Sequence, residues 1–508
     1  MGREEEVVKA RIKKIEELRK KGINPYPNRF DKDSNAIDLQ EKYKKLKNDG
    51  KSKDKTKIAG RLIIIRDLGK IAFASLQDGS GKIQILLQEK ETPDNVFDFF
   101  KKYIDAGDFI GVEGTIMRTK RGELSVVVKS LELLSKSILP LPEKWHGLVN
   151  EEERLRKRYL DIIINPEVKE LFVKKYKFWK AIRDFLINNG FIEVETPVLE
   201  NTTGGADAKP FVTHHNSFDI DVYLRISMGE LWQKRLMVAG FEKTFELGRQ
   251  FRNEGMSSEH LQDYSQMEFY WAYVNYEDGM RLVEEMYKYV AKEVLGTLKF
   301  KSRGFEIDFG KPWKKIDYVS EIKKQTGIDF FKATSKDMEK KLKELKVEFE
   351  PGLEKERLID LLWKHCRKSI AGPAFLINLP VEVSPLAKRT EKDERLVERF
   401  IVLFAGSELG NGYSELNDPI DQENRFKKQA ELREKGDEEA QMKDDEFVEA
   451  LKYGMPPTCG FGTSERLFSF LVDKPIRECQ IFPLMKPIKK EAEKQEEKKE
   501  ENKKDLEN

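Results

Sequence analysis

A chain of 508 residues with 93 Lys+Arg against 91 Asp+Glu, a formal charge of +2, is too long for one ordinary domain and too balanced to be a polycation, so any nucleic-acid surface must be local. With 36% charged residues, no run approaches the roughly 18 apolar residues that span a bilayer. The start "MGREEEVVKARIKK" lacks the apolar stretch of a signal peptide, and these features predict a soluble, cytoplasmic protein with no membrane partner.

Glu4 to Lys21 reads as a helix, with Val8, Ile12, Ile15 and Leu18 at helical spacing. Gly22, Pro25 and Pro27 stop it. Residues 1–50 are therefore read as a helical extension. Its lysines (Lys9, Lys13, Lys14, Lys20, Lys21) suit either the solvated side of a docked helix or a basic ridge for a nucleic-acid backbone. From Thr56, short apolar runs broken at "DLGK" and "DGSGK", then "FIGVEGTIM" and "ELSVVVKSLELL", predict strands. Over 51–140 they suggest a small barrel such as an OB-fold. Aromatic and polar strand residues of such barrels stack on and read single-stranded bases. Phe73 and Gln84 are candidates, with Arg66 and the Glu123 of "RGEL" beside them, although each taken singly reads as ordinary core or surface.

A connector, 141–150, contains most of "PLPEKWHGL". "NPEVKELFVKKYKFWKAIRDFLINNGFIEVETPVL" then predicts a long helix, ended by Asn189 and Gly190, running into a strand that breaks at Pro197. Mixed strands and helices continue to about Pro487. Residues 488–508, "IKKEAEKQEEKKEENKKDLEN", are low-complexity and read as a disordered or solvated tail. Neighbours on a strand face opposite ways, so His214 and His215 read as structural rather than as paired metal ligands. Cys366, Cys459 and Cys479 are scattered and odd in number, against a disulfide framework or a zinc pattern.

In "RQFRNEGMSSEHLQDYSQMEFYWAY", Arg252 and Glu254 lie two residues apart. On an extended chain they project to one side, a cation and an acceptor for one ligand. Two later stretches, "GSELGNGYSELNDPIDQ" and "GFGTSERL", are weak alone. Gly460 and Gly462 read equally well as a turn, and "SELND" as a solvated loop.

Together and in this order, the stretches resemble the three signature motifs of class II aminoacyl-tRNA synthetases: Pro197 in "GFIEVETPVL", then Arg252 with Glu254, then Arg466. The resemblance runs from the N-terminal helix to about Pro487. The OB-like segment marks the lysine, aspartate and asparagine subgroup, and "GINPYPNRF", "GGADAKPFVTHHNSFDIDVYLRIS", "MEFYWAY", "VEVSPLAKR" and "LGNGYSELNDPIDQ" are similar to its lysine branch. The implied fold is α+β, with an anticodon-binding OB barrel followed by a catalytic domain over 151–487, an antiparallel sheet flanked by helices. A homodimer interface around Pro197 is also implied. The implied activity is that of a lysine–tRNA ligase, using ATP and Mg2+ to make lysyl-adenylate and then charging tRNA(Lys) for protein synthesis.

By the same resemblance, Arg252 holds the α-phosphate, and Arg466 contacts the γ-phosphate and adenine. Glu254 accepts from the adenine amino group, Tyr264 stacks on its ring, and His260 reaches the terminal phosphates. Gly460 and Gly462 let backbone and ligand approach closely. Glu415, beside Tyr270 and Tyr413, takes lysine's side-chain ammonium, because an unpaired buried charge costs several kcal/mol. Glu230, Glu268 and Asn411 hold the amino-acid end, and Gly205 contributes backbone. Glu408 is the implied magnesium ligand, and Arg252, Arg466 and Glu408 are the implied catalytic residues.

The chain departs from the family pattern in four places. "LRISMGEL" has one residue more and "GFGTSER" one fewer, Leu261 replaces an asparagine, and Ile401 stands seven positions before Glu408 in place of a second metal-binding acid. Seven is odd, so a turn at Ala405–Gly406–Ser407 is expected to lay the two segments side by side, and Glu398 is a substitute acid to consider. An aspartate or asparagine enzyme would want a base where Glu415 stands. A protein-modifying ligase would lack the barrel, and a silent RNA-binding homologue would have no need of Arg252, Glu254 and Arg466.

Overall fold

The computed structural model describes residues 3–142, 148, 150–206, 208–255, 257–350, 352–434 and 442–488. Residues 143–147 and 149 of the connector, and the tail after Ile488, lie outside the described residues. Two units emerge, Met1–Ile164 and Asn165–Asn508, with the short helices Glu151–Arg156 and Arg158–Ile164 in the first.

In the first unit the opening helix runs Arg3–Lys20. It ends where Gly22 takes φ +73° and the Ile23 N–H returns to the Leu18 carbonyl at 3.0 Å, a left-handed cap that glycine adopts without strain. Its stripe is docked in part, with Ile12 left exposed. Ile15 and Leu18 are buried, and Arg11, also buried, donates to the carbonyls of Ala106, Ser137 and Leu139. The strands Lys51–Asp67, Ile71–Gln77, Lys82–Gln88, Leu124–Ser135 and Phe109–Arg118 close, in that order, into a barrel. Alternation sets its inside and outside: Ala72, Ala74 and Leu76 are buried, while Phe73 and Ser75 between them are only half-buried. The helix Asp94–Tyr103 adds Phe97, Phe100 and Tyr103 to the same core.

In the second unit the helix Pro166–Asn188 begins with proline in its first turn and ends before Gly190 at φ +81°. It packs Phe178, Ile182 and Leu186 into a core shared with Met286 and Val290 of the helix Tyr276–Leu295. Behind these helices stands an eight-stranded sheet in the order Lys314–Asp317, Ala374–Pro380, Leu396–Phe404, Ser407–Ser414, Thr458–Ser464, Asp263–Ala272, Lys243–Phe251 and Ile192–Glu193. The central six strands are antiparallel, but both edge pairs are parallel, so the sheet is mixed rather than wholly antiparallel. Each edge pair is joined by a long crossover, the connection that parallel pairing requires: three helices between Asp317 and Ala374, and a small three-stranded sheet followed by the helix Glu230–Val238 between Glu193 and Lys243.

Period two divides the sheet into an apolar face under the helices and a polar face opposite. Met267, Phe269, Phe400, Val402, Cys459 and Phe461 enter the core, while Gln266, Glu268, Tyr270, Arg399, Gly460 and Gly462 alternate with them and line a cleft.

Candidate active site

The cleft encloses about 430 Å³. It gathers every site residue expected in the second unit apart from Pro197: Gly205, Glu230, Arg252, Glu254, His260, Tyr264, Glu268, Tyr270, Glu408, Asn411, Tyr413, Glu415, Gly460, Gly462 and Arg466. Arg252 and Glu254 do not share a strand face, since the strand ends at Phe251. The loop that carries them is tied by the Arg252 N–H to the Gln262 carbonyl at 2.7 Å and by Gln262 Nε2 to the Glu254 carbonyl at 3.0 Å. A bend at 226–229, where Gly229 takes φ +67°, leads into the helix that carries Glu230.

One end of the cleft is acidic. Glu268 accepts from the Met228 N–H at 3.1 Å, Gln266 Nε2 at 2.6 Å and the Tyr270 hydroxyl at 3.1 Å, and the Tyr413 hydroxyl donates to Glu230. Glu415, 1% exposed, lies against Gly460, where an added Cβ would come within 2.1 Å of Glu415 Oε1. Lys234 enters this cluster one helical turn after Glu230. Its Nζ is 2.7 Å from Glu230 Oε1 and 2.5 Å from Glu415 Oε2. Both contacts are close ion pairs, and the second ties Glu415 Oε2 to the resident ammonium. Burial pushes the Glu415 carboxyl well above the usual range against the pull of Lys234, and Glu230 and Glu268 add to the rise. Burial, then Glu230, raises Glu268 to about 7. Burial works to lower Lys234, but Glu230 and Glu415 outweigh it and hold the ammonium above its ordinary value.

The other end is cationic. Arg466 NH1 donates to the Glu408 carbonyl at 3.0 Å, and its guanidinium pairs with Glu259. Burial would raise the Glu259 carboxyl, but Arg466 outweighs it and the net shift is downward. Burial, then Arg466, lowers His260, whose Nδ1 is 2.8 Å from Ser257 Oγ. Arg252 is steadied by a bond from Nε to the Ile226 carbonyl at 3.3 Å, with its guanidinium 5.9 Å from the centre of the Tyr264 ring.

The expected turn forms at Ala405 and Gly406, both at positive φ, and pairs Leu403 with Glu408. Ile401 is buried in the neighbouring apolar cluster. Glu408 Oε1 accepts from Trp363 Nε1 at 2.6 Å and lies 3.9 Å from Arg367 Nε. Glu398, next to the cleft-facing Arg399, turns the other way, near Tyr276. Among the described residues no group of three or more His, Cys, Asp or Glu side chains is placed to hold a metal ion. Glu408 thus offers one partly engaged carboxylate, which does not fit a resident magnesium site of its own.

Residues 150–486 match the family model for class II tRNA synthetases of the D, K and N type. The chain belongs to that family. Residues 56–134 match the OB-fold nucleic acid binding domain. Among curated proteins it resembles the lysine–tRNA ligases of Thermotoga maritima (47% identity, covering 94% of this chain and 96% of that protein), Thermosipho africanus (45%, covering 94% and 95%) and Carboxydothermus hydrogenoformans (46%, covering 95% and 98%).

For a class II synthetase of this type, the sequence reading overlooked two charged residues of the cleft region. Lys234 sits on a short helix where a lysine ordinarily means a solvated position, and Glu259 lies in a polar loop. Only the fold reveals that each is paired with a site residue. In the barrel, Arg66 pairs with Phe73 and Ser75 with Gln84 across adjacent strands, which puts Arg66, Phe73 and Gln84 on one outer face. Ser125 Oγ donates to Gln84 Oε1 at 2.8 Å, and Glu123 sits in the turn leading to Ser125. Pro197 is exposed in an extended segment with Ile192, Val198 and Leu199, also exposed, and takes no part in the cleft. His214 contacts Asp219 and Asp221, and His215 stacks on Phe218.

The raised Glu268 carboxyl gives the site a pH dependence. As pH falls through about 7 this group takes up a proton, and the pocket loses a negative charge that a bound ammonium needs. Affinity for an amine ligand, measured calorimetrically with L-lysine, is expected to weaken by about tenfold per pH unit below that value. An affinity unchanged between pH 8 and 6 contradicts the assignment.

Proposed function

We propose that this synthetase is a cytoplasmic lysine–tRNA ligase. The observation that carries the reading is the charge balance at the acidic end, where three buried carboxylates, Glu230, Glu268 and Glu415, face the single ammonium of Lys234. Buried charge demands a partner, and lysine brings two ammonium groups. The relatives named lysine–tRNA ligase support the same substrate. An aspartate or asparagine substrate would add a carboxylate or a neutral amide where cations are wanted.

In the first step a carboxylate oxygen of lysine attacks the α-phosphorus of ATP, the bond to the bridging oxygen breaks, and pyrophosphate leaves. In the second, the terminal ribose hydroxyl of tRNA(Lys) attacks the acyl carbon, and AMP leaves with the bonding electrons. No side chain need act as nucleophile, so orientation and charge stabilisation account for the rate. Arg252 stabilises the α-phosphate as its charge grows. Arg466 holds the terminal phosphate, exchanging Glu259 for it, with His260 alongside. Glu254 and Tyr264 hold adenine, and Gly460 and Gly462 keep the floor low enough for both substrates. Glu268, Glu230, Asn411 and the Gly205 backbone hold the α-amino end, while Glu415 with Tyr270 and Tyr413 takes the side-chain ammonium. Magnesium would arrive with ATP as its counter-ion, and Glu408 would be the protein carboxylate that meets it.

The outer barrel face carrying Phe73, Arg66 and Gln84, with Glu123 at its edge, binds the anticodon. A homodimer forms through the segment around Pro197 and the small sheet Leu199–Glu200, Ile220–Leu224 and Val212–His215. Leu199, Val212 and Ile220 on that sheet and Phe218 in its turn are exposed apolar side chains, of the kind that marks a protein interface.

Glu415→Gln should abolish lysine-dependent ATP–pyrophosphate exchange while the protein still folds. Breaking a buried charged pair costs about 3–5 kcal/mol, roughly a thousandfold in an equilibrium, and near-normal exchange would sink the assignment. Phe73→Ala should weaken tRNA charging by the about 1–3 kcal/mol of one stacked base and spare exchange; equal loss in both assays would instead indicate a folding defect, and unchanged charging removes the anticodon role. Glu408→Gln should nearly abolish exchange. Manganese titration followed by electron paramagnetic resonance should find no tight site until ATP is added, and a tight site without ATP overturns the view that the metal arrives with the nucleotide.

A further inference from the structure

We infer that Lys234 is a specificity-setting positioning residue, a resident ammonium that keeps the acidic end of the cleft two positive charges short and bars a guanidinium from Glu415. The inference rests on the lysine–tRNA ligase reading. Lys234 is 1% exposed, and its ammonium bridges Glu230 and Glu415 while lying 5.4 Å from the centre of the Tyr413 ring and 5.9 Å from that of Phe447. A solvated lysine would be free to leave; this one is fixed by two acids and two rings.

Two consequences follow. Glu230, Glu268 and Glu415 share one water-poor pocket, and like charges so placed cannot all ionise unaided. Without a resident cation the cluster would hold protons in place of a ligand. With one ammonium present, the three carboxyls when fully ionised are two positive charges short of balance, and the two ammonium groups of lysine supply them once its carboxylate is joined to AMP as a mixed anhydride. A monoamine leaves one carboxylate unpaired. The second consequence is geometric. Arginine binds a carboxylate best through a planar fork that takes both oxygens. Lys234 Nζ stands 2.5 Å from Glu415 Oε2, so the fork cannot close, whereas a single ammonium needs only one free approach.

The charged and titratable groups around Lys234 are Glu230 on its own helix, Tyr413 and Glu415 on the strand Ser407–Ser414 and just beyond it, Glu268 and Tyr270 on the strand Asp263–Ala272, and Cys459 behind Glu415. The carboxylates among them are the groups whose protonation Lys234 controls.

The test is Lys234→Met in the full chain, with exchange kinetics at about pH 7.0 and about pH 8.5, each referred to the wild type at the same pH so that titration of lysine's own α-amino group cancels. The Michaelis constant for lysine should rise about tenfold or more at the lower pH and recover partly at the higher. That for ATP should stay within about twofold, and the preference for lysine over arginine should fall by about tenfold. Lys234→Gln, which still offers Glu230 a hydrogen bond, is measured alongside and should shift in the same direction; it decides the matter if the methionine variant melts early. Wild-type lysine affinity, pH profile and arginine rejection in a folded variant overturn the inference alone. A wild-type enzyme with no lysine-dependent exchange overturns the lysine reading, and this inference with it.

Discussion

Charge that has been taken out of water must find charge. At the acidic end of the cleft, three carboxylates and one ammonium are removed from solvent together, and the cost of leaving any of them alone is several kcal/mol. That constraint explains the tyrosines at 270 and 413, which donate hydroxyls to Glu268 and Glu230. It also explains why residue 460 is glycine, since a side chain there would displace the Glu415 carboxylate. Specificity is in this sense a debt of positive charge that only a suitable substrate settles.

The sheet makes this arrangement rigid. The carboxylates of Glu268 and Glu415 are carried by, or directly follow, antiparallel strands whose other face is locked into an aromatic core, with Phe269 near Phe461 and Phe461 stacked on Phe400. A side chain cannot swing out of the cleft without moving a strand that the core holds in register. The loops behave differently. Arg252, Glu254, Glu259 and His260 stand on the connection between two of these strands, held by a few polar contacts, and this is the end proposed to take the triphosphate. A rigid amino-acid end and an adaptable phosphate end suit a reaction in which one ligand is selected and the other is consumed.

Each end already holds an internal ion of the kind it is proposed to bind. Lys234 presents an ammonium to Glu415, and Glu259 presents a carboxylate to Arg466. The two differ in burial, and so in consequence. Lys234 is sealed and acts as a fixed part of the pocket, whereas Glu259 is about a quarter exposed and can yield its partner to a phosphate. The metal position follows the same logic. With Ile401 in the apolar cluster and Trp363 donating to Glu408, the protein supplies little negative charge there, in keeping with the proposal that the metal comes with the nucleotide.

Local patterns in the sequence were enough to establish the helix up to Lys20 and its glycine stop, the barrel strands, the long helix from Pro166 and the polar character of the motif residues, because periodicity, caps and turn residues act over a few positions. The motif resemblance extended this to the family, and the fold gathers the residues it singled out in the second unit into one cleft, Pro197 excepted. The tertiary structure decided what depends on strands distant in sequence meeting in register. It made the sheet parallel at both edges, took Arg252 and Glu254 off the strand and turned Glu398 away from Glu408. It also buried Lys234 between Glu230 and Glu415, which lie 185 residues apart in the chain. No local pattern distinguishes a buried lysine from a solvated one on a short helix; the difference is made by the acid that the fold brings to meet it.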